Sequence, residues 1–164
     1  MIITGTAIKL GDNIDTDVIL PGKYLPLTDP TDLSKHALEG LDSSFAEKAK
    51  VGIIVVAGRN FGCGSSREQA PVALKYAGVK AVVAESFARI FFRNSVNIGL
   101  PILECKGISQ MAKGGDIIRI DLSLGSVVDE TQGVTLEATH LPDFLLEIIV
   151  DGGLIEHLIK KRGQ

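Results

Sequence analysis

Between Gly52 and Cys105 the chain alternates short apolar runs with helical patterns, and this rhythm restricts the fold more than any other feature of the sequence. Gly52–Ala57, Lys80–Ala84 and Ile102–Cys105 read as strands, each apolar on both faces. The segments between them predict helices. One covers Ser66–Ala77 and ends at Gly78, the usual C-terminal stop. The other is opened by Glu85-Ser86-Phe87-Ala88-Arg89, runs to about Asn97 and closes at Gly99-Leu100-Pro101. Strands apolar on both faces need cover on both sides, so the pattern predicts parallel pairing with right-handed crossovers. In an open parallel sheet, ligands gather at the carboxyl ends of the strands.

The flanking segments predict a mixed sheet. Ile2–Leu10 reads as a strand, and Thr31–Leu38 and Ser43–Lys50 as short helices. After Gly107, Asp116–Leu122, Ser126–Asp129 and Val134–Ala138 are short strands joined by turns, the pattern of an antiparallel meander. Helical patterns over Pro142–Val150 and Leu154–Lys161 follow. The class is α/β with parallel and antiparallel strands. No repeat, low-complexity tract or linker interrupts it, so one domain over residues 1–164 is expected.

Composition excludes several function classes. With 45% hydrophobic residues the chain is not disordered, and with 5% aromatics and no Trp its core is aliphatic. A net charge of −3 gives no electrostatic footprint for nucleic acid or an anionic membrane. No apolar run is long enough to span a bilayer, and no basic segment followed by a long apolar one opens the sequence, so a cytoplasmic location is expected. Cys63 and Cys105 lie far apart, lack metal-ligand spacing, and are fewer than a protein-held iron–sulfur cluster needs. His36, His140 and His157 are scattered and match no ligand pattern, so no metal site is expected in this chain.

The first predicted crossover carries the candidate chemistry. Gly58-Arg59-Asn60-Phe61-Gly62-Cys63-Gly64-Ser65-Ser66-Arg67-Glu68 follows a strand and opens a helix. Its glycines permit tight, left-handed turns. Free N–H groups at a helix start favour an anion, and the planar fork of Arg67 suits a carboxylate. A capping box of Ser66 with Gln69 would account for one serine, but not for Gly62, Gly64, Ser65 and Arg67 together. Cys63 reads equally as a reactive thiol and as a small residue filling the turn. Upstream, Gly11-Asp12-Asn13-Ile14-Asp15-Thr16-Asp17 gathers three aspartates without the glycine and distal glutamate of a calcium loop. Such residues also hold turns through their own backbone. Tyr24-Leu25-Pro26-Leu27 is an apolar loop between two turn signals, which by itself favours packing under a neighbour.

Three stretches occur together: Gly11-Asp12-Asn13-Ile14-Asp15-Thr16-Asp17, Gly62-x-Gly64-Ser65-Ser66-Arg67-Glu68 and Ser86-Phe87-Ala88-Arg89-Ile90. In order and spacing they resemble the mobile domain of the aconitase family, most densely over Ile8–Leu27 and Gly52–Glu104. The resemblance implies a three-layer β/β/α swivelling domain standing as a separate small subunit. Its partner would be a large subunit that holds a [4Fe–4S] cluster, and self-association of the isolated subunit is a further expectation. It implies a hydro-lyase, inactive without its partner, acting on a hydroxy-dicarboxylic acid. By carry-over Ser65 is the base, Arg67 and Ser66 bind a substrate carboxylate, and Asp17 works near the leaving hydroxyl. Tyr24, Leu25, Pro26 and Leu27 would face the substrate's variable group. Aconitase- and homoaconitase-type members place an arginine in that loop. Leu, Pro and Leu here suit an isopropyl or methyl group, and a third carboxylate left unpaired there is costly. Ser86 and Arg89 read equally as residues of the site and as, respectively, a helix cap and an exposed basic residue.

Two rival readings are weaker. An RNA-binding role conflicts with the acidic balance. A stand-alone serine hydrolase lacks a histidine base in a suggestive context and the Gly-x-Ser-x-Gly turn.

Overall fold

The computed structural model describes residues 1–164. In chain order the elements are β1 (Ile2–Lys9), α1 (Thr16–Ile19), a 3₁₀ turn (Gly22–Tyr24), α2 (Pro30–Ser34), α3 (Phe45–Ala49), β2 (Ile53–Ala57), α4 (Gln69–Ala77), β3 (Val79–Ala84), α5 (Arg89–Asn97) and β4 (Ile102–Glu104). These are followed by α6 (Ile108–Met111), β5 (Ile117–Asp121), β6 (Ser126–Asp129), β7 (Val134–Glu137), α7 (Asp143–Val150) and α8 (Leu154–Arg162). All seven strands join one sheet in the order β4-β3-β2-β1-β5-β6-β7. β1 to β4 pair in parallel, and β1 with β5, β5 with β6 and β6 with β7 pair antiparallel.

Alternation along the central strands divides their side chains between two cores. Ile53, Val55, Ala57, Val82, Ala84 and Ile102 pack with residues of α2, α3 and α4. Ile54, Val56, Ala81, Val83 and Leu103 point the other way and share a core with Ile118, Ile120 and Val127 of the antiparallel half. One sheet whose two halves bury the same face against each other must curl. The edges nearly meet: the Thr139 amide, just past β7, donates to the Glu104 carbonyl of β4 at 2.9 Å. The layers are therefore antiparallel strands, parallel strands and helices, the expected β/β/α arrangement, made from one folded-over sheet. All five residues of β2 are buried, which explains their unbroken apolar run. No helix is long and apolar enough to cross a membrane.

Several boundaries differ from the sequence expectation. The helix expected from Ser66 begins at Gln69, and Glu68 stands at the cap position without a side-chain cap bond, so the Ser66–Gln69 capping box does not form. Residues 65–67 are instead held against α1 by side-chain tethers. Val18-Ile19-Leu20, in the sequence only a short apolar segment ended by Pro21-Gly22, lies mostly in α1, capped by Asp15 through the Val18 amide at 2.9 Å. Residues 31–38 and 43–50 hold shorter helices than expected, and α6 carries no clear periodic signal.

Candidate functional site

The loop after β2 is laced to the loop after β1. The Asn13 amide donates to the Arg59 carbonyl at 2.8 Å, Gly62 N–H to Ile14 at 2.7 Å and Thr16 N–H to Cys63 at 2.8 Å. The Asp12 carboxylate accepts the Arg59 amide at 2.7 Å. A third stretch joins through Phe61, whose amide donates to Ser86 at 3.1 Å and whose carbonyl accepts from Ala88 at 2.9 Å. The three stretches that carried the family resemblance, separated by tens of residues, thus form one surface. Beneath it, Phe61 is fully buried and meets Phe87 and Phe91 edge-on at 6.0 and 5.3 Å between ring centres. Gly62 has φ +80°, and a Cβ there would fall 2.1 Å from Phe91 Cγ, so only glycine fits between loop and ring.

On this floor opens a cavity of about 260 Å³, lined on one side by Thr16, Gly64, Ser65, Ser66 and Arg67 and on the other by Ala88, Arg89, Ile90 and Asn94. Ser65 and Ser66 are exposed and Arg67 is half-buried. The amides of residues 64 to 67 donate to no group within the chain. The first amides of α5 are likewise uncapped. Free N–H donors around one cavity, with two guanidinium groups, make it receptive to anions.

Arg67 is oriented by its own fold. Its Nη1 donates to Asp17 Oδ1 at 2.7 Å and to the Leu20 carbonyl at 3.0 Å, while Nη2 and Nε have no intramolecular partner. The same division recurs on Asp17. Oδ1 accepts both Arg67 and the Gly22 amide, the latter at 3.0 Å, and Oδ2 is unengaged. The Arg67 hydrogen bond, then the Gly22 amide, holds the Asp17 carboxyl below the usual carboxylate range. The three aspartates are therefore not a cluster. Asp12 holds a loop, Asp15 caps α1 and Asp17 aligns Arg67.

The structure brings Ser65, Ser66 and Arg67 together in the cavity, with Asp17 behind Arg67. It does not bring in Tyr24, Leu25, Pro26 or Leu27. Leu25 and Leu27 pack against the helical-side core and Pro26 is exposed. Tyr24 stacks on His36 at 3.7 Å between centroids, and the Glu39 carboxylate beside its hydroxyl pushes the phenol pKa up. The 3₁₀ turn that leads into this loop reaches the site at Gly22, where a Cβ would lie 3.4 Å from Arg67 Nη2. Ser86 does not cap α5. Its Oγ accepts the Asn60 amide at 2.9 Å and so supports the loop. Arg89, left open between two readings, lines the cavity without an acidic partner. Thr16 and Asn94 also line it, and sequence reasoning did not single them out as site residues. The one sequence signal at Thr16 is its place between Asp15 and Asp17.

Neither cysteine is placed to hold a cluster. Cys105 is fully buried near β7, and burial, then Glu85, pushes its thiol pKa up to about 11, whereas Cys63 lies half-exposed in the loop. A larger hollow of about 550 Å³ between α7 and α8 holds the buried His157–Asp151 pair and no residue of the glycine-rich loop.

A curled β/β/α domain presenting a serine–arginine loop beside an uncapped helix start is the architecture that the resemblance to the aconitase family's mobile domain implies. Residues 11–107 match the aconitase C-terminal domain family, and the chain belongs to that family. It is 51% identical over 158 residues to the 3-isopropylmalate dehydratase small subunit of Halothermothrix orenii, covering 96% of each chain. It is 49% identical over 163 residues to the isopropylmalate/citramalate isomerase small subunit of Methanocaldococcus jannaschii, covering 99% of this chain and 97% of that protein. The crystal structure of 3-isopropylmalate dehydratase from Methanocaldococcus jannaschii superposes with a TM-score of 0.92 at 47% identity, covering 99% of this chain and 96% of that one.

Proposed function

We propose that this chain is the small subunit of a 3-isopropylmalate dehydratase, a hydro-lyase that interconverts 2-isopropylmalate and 3-isopropylmalate by loss and return of water in leucine biosynthesis. The observation that carries the reading is the exposed Ser65 hydroxyl in a cavity with Arg67, whose Nη2 and Nε are free. Arg67 grips one substrate carboxylate through these donors, with Ser66 beside it. Ser65, as the alkoxide, takes the proton from the carbon next to that carboxylate, becomes neutral, and returns a proton on rehydration. The charge on its oxygen is supported by the free amides of its own loop and the guanidinium. Because α4 starts at Gln69, the helix start that faces this chemistry belongs to α5.

Asp17, through its unengaged Oδ2, is assigned to the leaving-hydroxyl side of the site. The remaining groups there come from a large subunit, to which we also assign the [4Fe–4S] cluster. This chain has no ligand set for one, since its two thiols lie on different parts of the fold. We assign substrate choice to the Tyr24–Leu27 loop, which follows Gly22 beside Arg67 and whose exposed member, Pro26, is the apolar surface for an isopropyl or methyl group. We place the enzyme in the cytoplasm.

The test is co-purification with a large subunit and an anaerobic assay of the pair on several hydroxy acids. Turnover of 2- and 3-isopropylmalate, with little of cis-homoaconitate, is expected. Comparable turnover of cis-homoaconitate would refute the assigned selectivity. A second reading is favoured by the relative whose name includes citramalate, a methyl-bearing diacid. Faster turnover of citramalate or dimethylmalate than of isopropylmalate would establish it.

A further inference from the structure

We infer that Thr16 is a positioning residue for the reaction: its buried hydroxyl fixes the Ser65 peptide and so aims the serine side chain. This rests on the reading of Ser65 as the base. Thr16 is 3% exposed, and its Oγ1 donates to the Ser65 carbonyl at 2.7 Å. No other hydrogen bond holds Ser65 or Ser66, by backbone or by side chain. The nearest backbone anchors are the Cys63 carbonyl, itself bonded to the Thr16 amide at 2.8 Å, and the Arg67 carbonyl, bonded to the Ala70 amide at 3.2 Å. Between these anchors Gly64 turns with φ +89°, a residue with no side chain to restrain it. One threonine thus supplies both the anchor before this turn and the only tether within it.

The tether itself is firmly based. Thr16 is the first residue of α1, which Asp15 caps, and the Leu20 amide closes the turn on the Thr16 carbonyl at 2.9 Å. Being β-branched, Thr16 also has few side-chain rotamers to lose. Without the hydroxyl, Ser65 keeps its place in the chain but pivots about Gly64. A base must reach its proton within hydrogen-bond distance, and misplacement by about 1 Å costs on the order of 10²-fold in rate. Arg67 is held separately by Asp17 and Leu20, so carboxylate binding survives the change.

The experiment uses the complex reconstituted with the large subunit and compares Thr16→Val, Thr16→Ala and Thr16→Ser, each also in a Ser65→Ala background. With 3-isopropylmalate, Thr16→Val lowers kcat at least tenfold and shifts KM less than about threefold. Thr16→Ser keeps a hydroxyl at the same reach and restores kcat to within about threefold. In the Ser65→Ala background the Val change costs no further rate, because nothing remains for Thr16 to aim. Thr16→Ala, which leaves room rather than a methyl against the carbonyl, carries the same comparison if the Val variant does not assemble. A kcat within threefold of the parent in both Val and Ala variants overturns the inference. So does an undiminished further loss in the Ser65→Ala background. Near-normal turnover by Ser65→Ala alone instead overturns the assignment of the base, an outcome the Thr16 series by itself cannot produce.

Discussion

Replacing Arg67 with lysine keeps the charge and removes the fork, and the expected cost can be counted in N–H groups. The guanidinium has five donors. The pair on Nη1 serves Asp17 and the Leu20 carbonyl, and the three on Nη2 and Nε are free for a substrate carboxylate. An ammonium has three donors on one atom. If it stays with Asp17 and Leu20, one remains. The variant therefore loses a bidentate carboxylate contact and retains at best a single bond. A hydrogen bond to a charged group contributes about 1.5–3 kcal/mol, and 1.4 kcal/mol is a factor of ten, so kcat/KM should fall about 10- to 100-fold. Folding should change little. Asp17 is open to water on its other face, so the ion pair itself adds little stability, and the lysine can still serve the Leu20 carbonyl. The assay is initial rate against substrate concentration for the reconstituted pair, beside a melting curve expected within about 4 °C of the parent. A kcat/KM within threefold of the parent would mean that the free edge of Arg67 does not meet the substrate.

Other predictions concern the loop and the chain around it. Gly62→Ala must adopt φ +80° and displace the buried Phe91 ring, costs of about 1–2 and about 1–3 kcal/mol, so a thermal melt should fall by about 5–20 °C. Asp42 accepts from Lys48, then from the Ser44 hydroxyl and amide, and these hold its carboxyl at about 2. A depressed folded value gives stability that is present above about 4 and disappears as pH falls towards about 2. Urea melts should therefore show parent and Asp42→Asn converging in that window, and a constant difference down to pH 2 would contradict it. Cys105, fully buried with its thiol pKa near 11, should resist iodoacetamide at pH 8 while half-exposed Cys63 is alkylated first, as read by peptide mass spectrometry.

Much of the fold was legible because strand burial writes itself into the sequence. The unbroken run of β2 and the meander after Gly107 led to the right strands, and their parallel and antiparallel pairing followed. The curl did not follow from periodicity, because the core shared by Val56 and Ile120 is a long-range fact, and alternation says only that each has an inner face. At the site, glycines and charged groups were conspicuous and hydroxyl roles were not. Ser66 looked like a cap because of Gln69, yet tethers from α1 delay α4 by three residues. Ser86 looked like a cap for α5 and instead supports the loop across the chain. The apolar loop read first as packing and then, through the family, as a selectivity element. Leu25 and Leu27 do pack on the core, which leaves Pro26 as the exposed member.

Asp17 and Arg67 show why such a site can be half-built in one chain. Each gives one side of its planar group to the other: Oδ1 to Nη1, at 2.7 Å. That contact fixes two otherwise flexible side chains before any ligand arrives, which removes an ordering cost from binding. The sides left over are of opposite kind, a carboxylate oxygen on one residue and N–H donors on the other. A substrate carboxylate can meet Arg67 without displacing Asp17. A basic group from a partner chain can meet Asp17 Oδ2 without displacing Arg67. The pair is therefore a joint with two open ends; under the proposed function one takes the substrate carboxylate and the other lies on the leaving-hydroxyl side. Had both oxygens of Asp17 been spent on both edges of Arg67, the same ion pair would have been a closed structural clasp with nothing to offer substrate or partner.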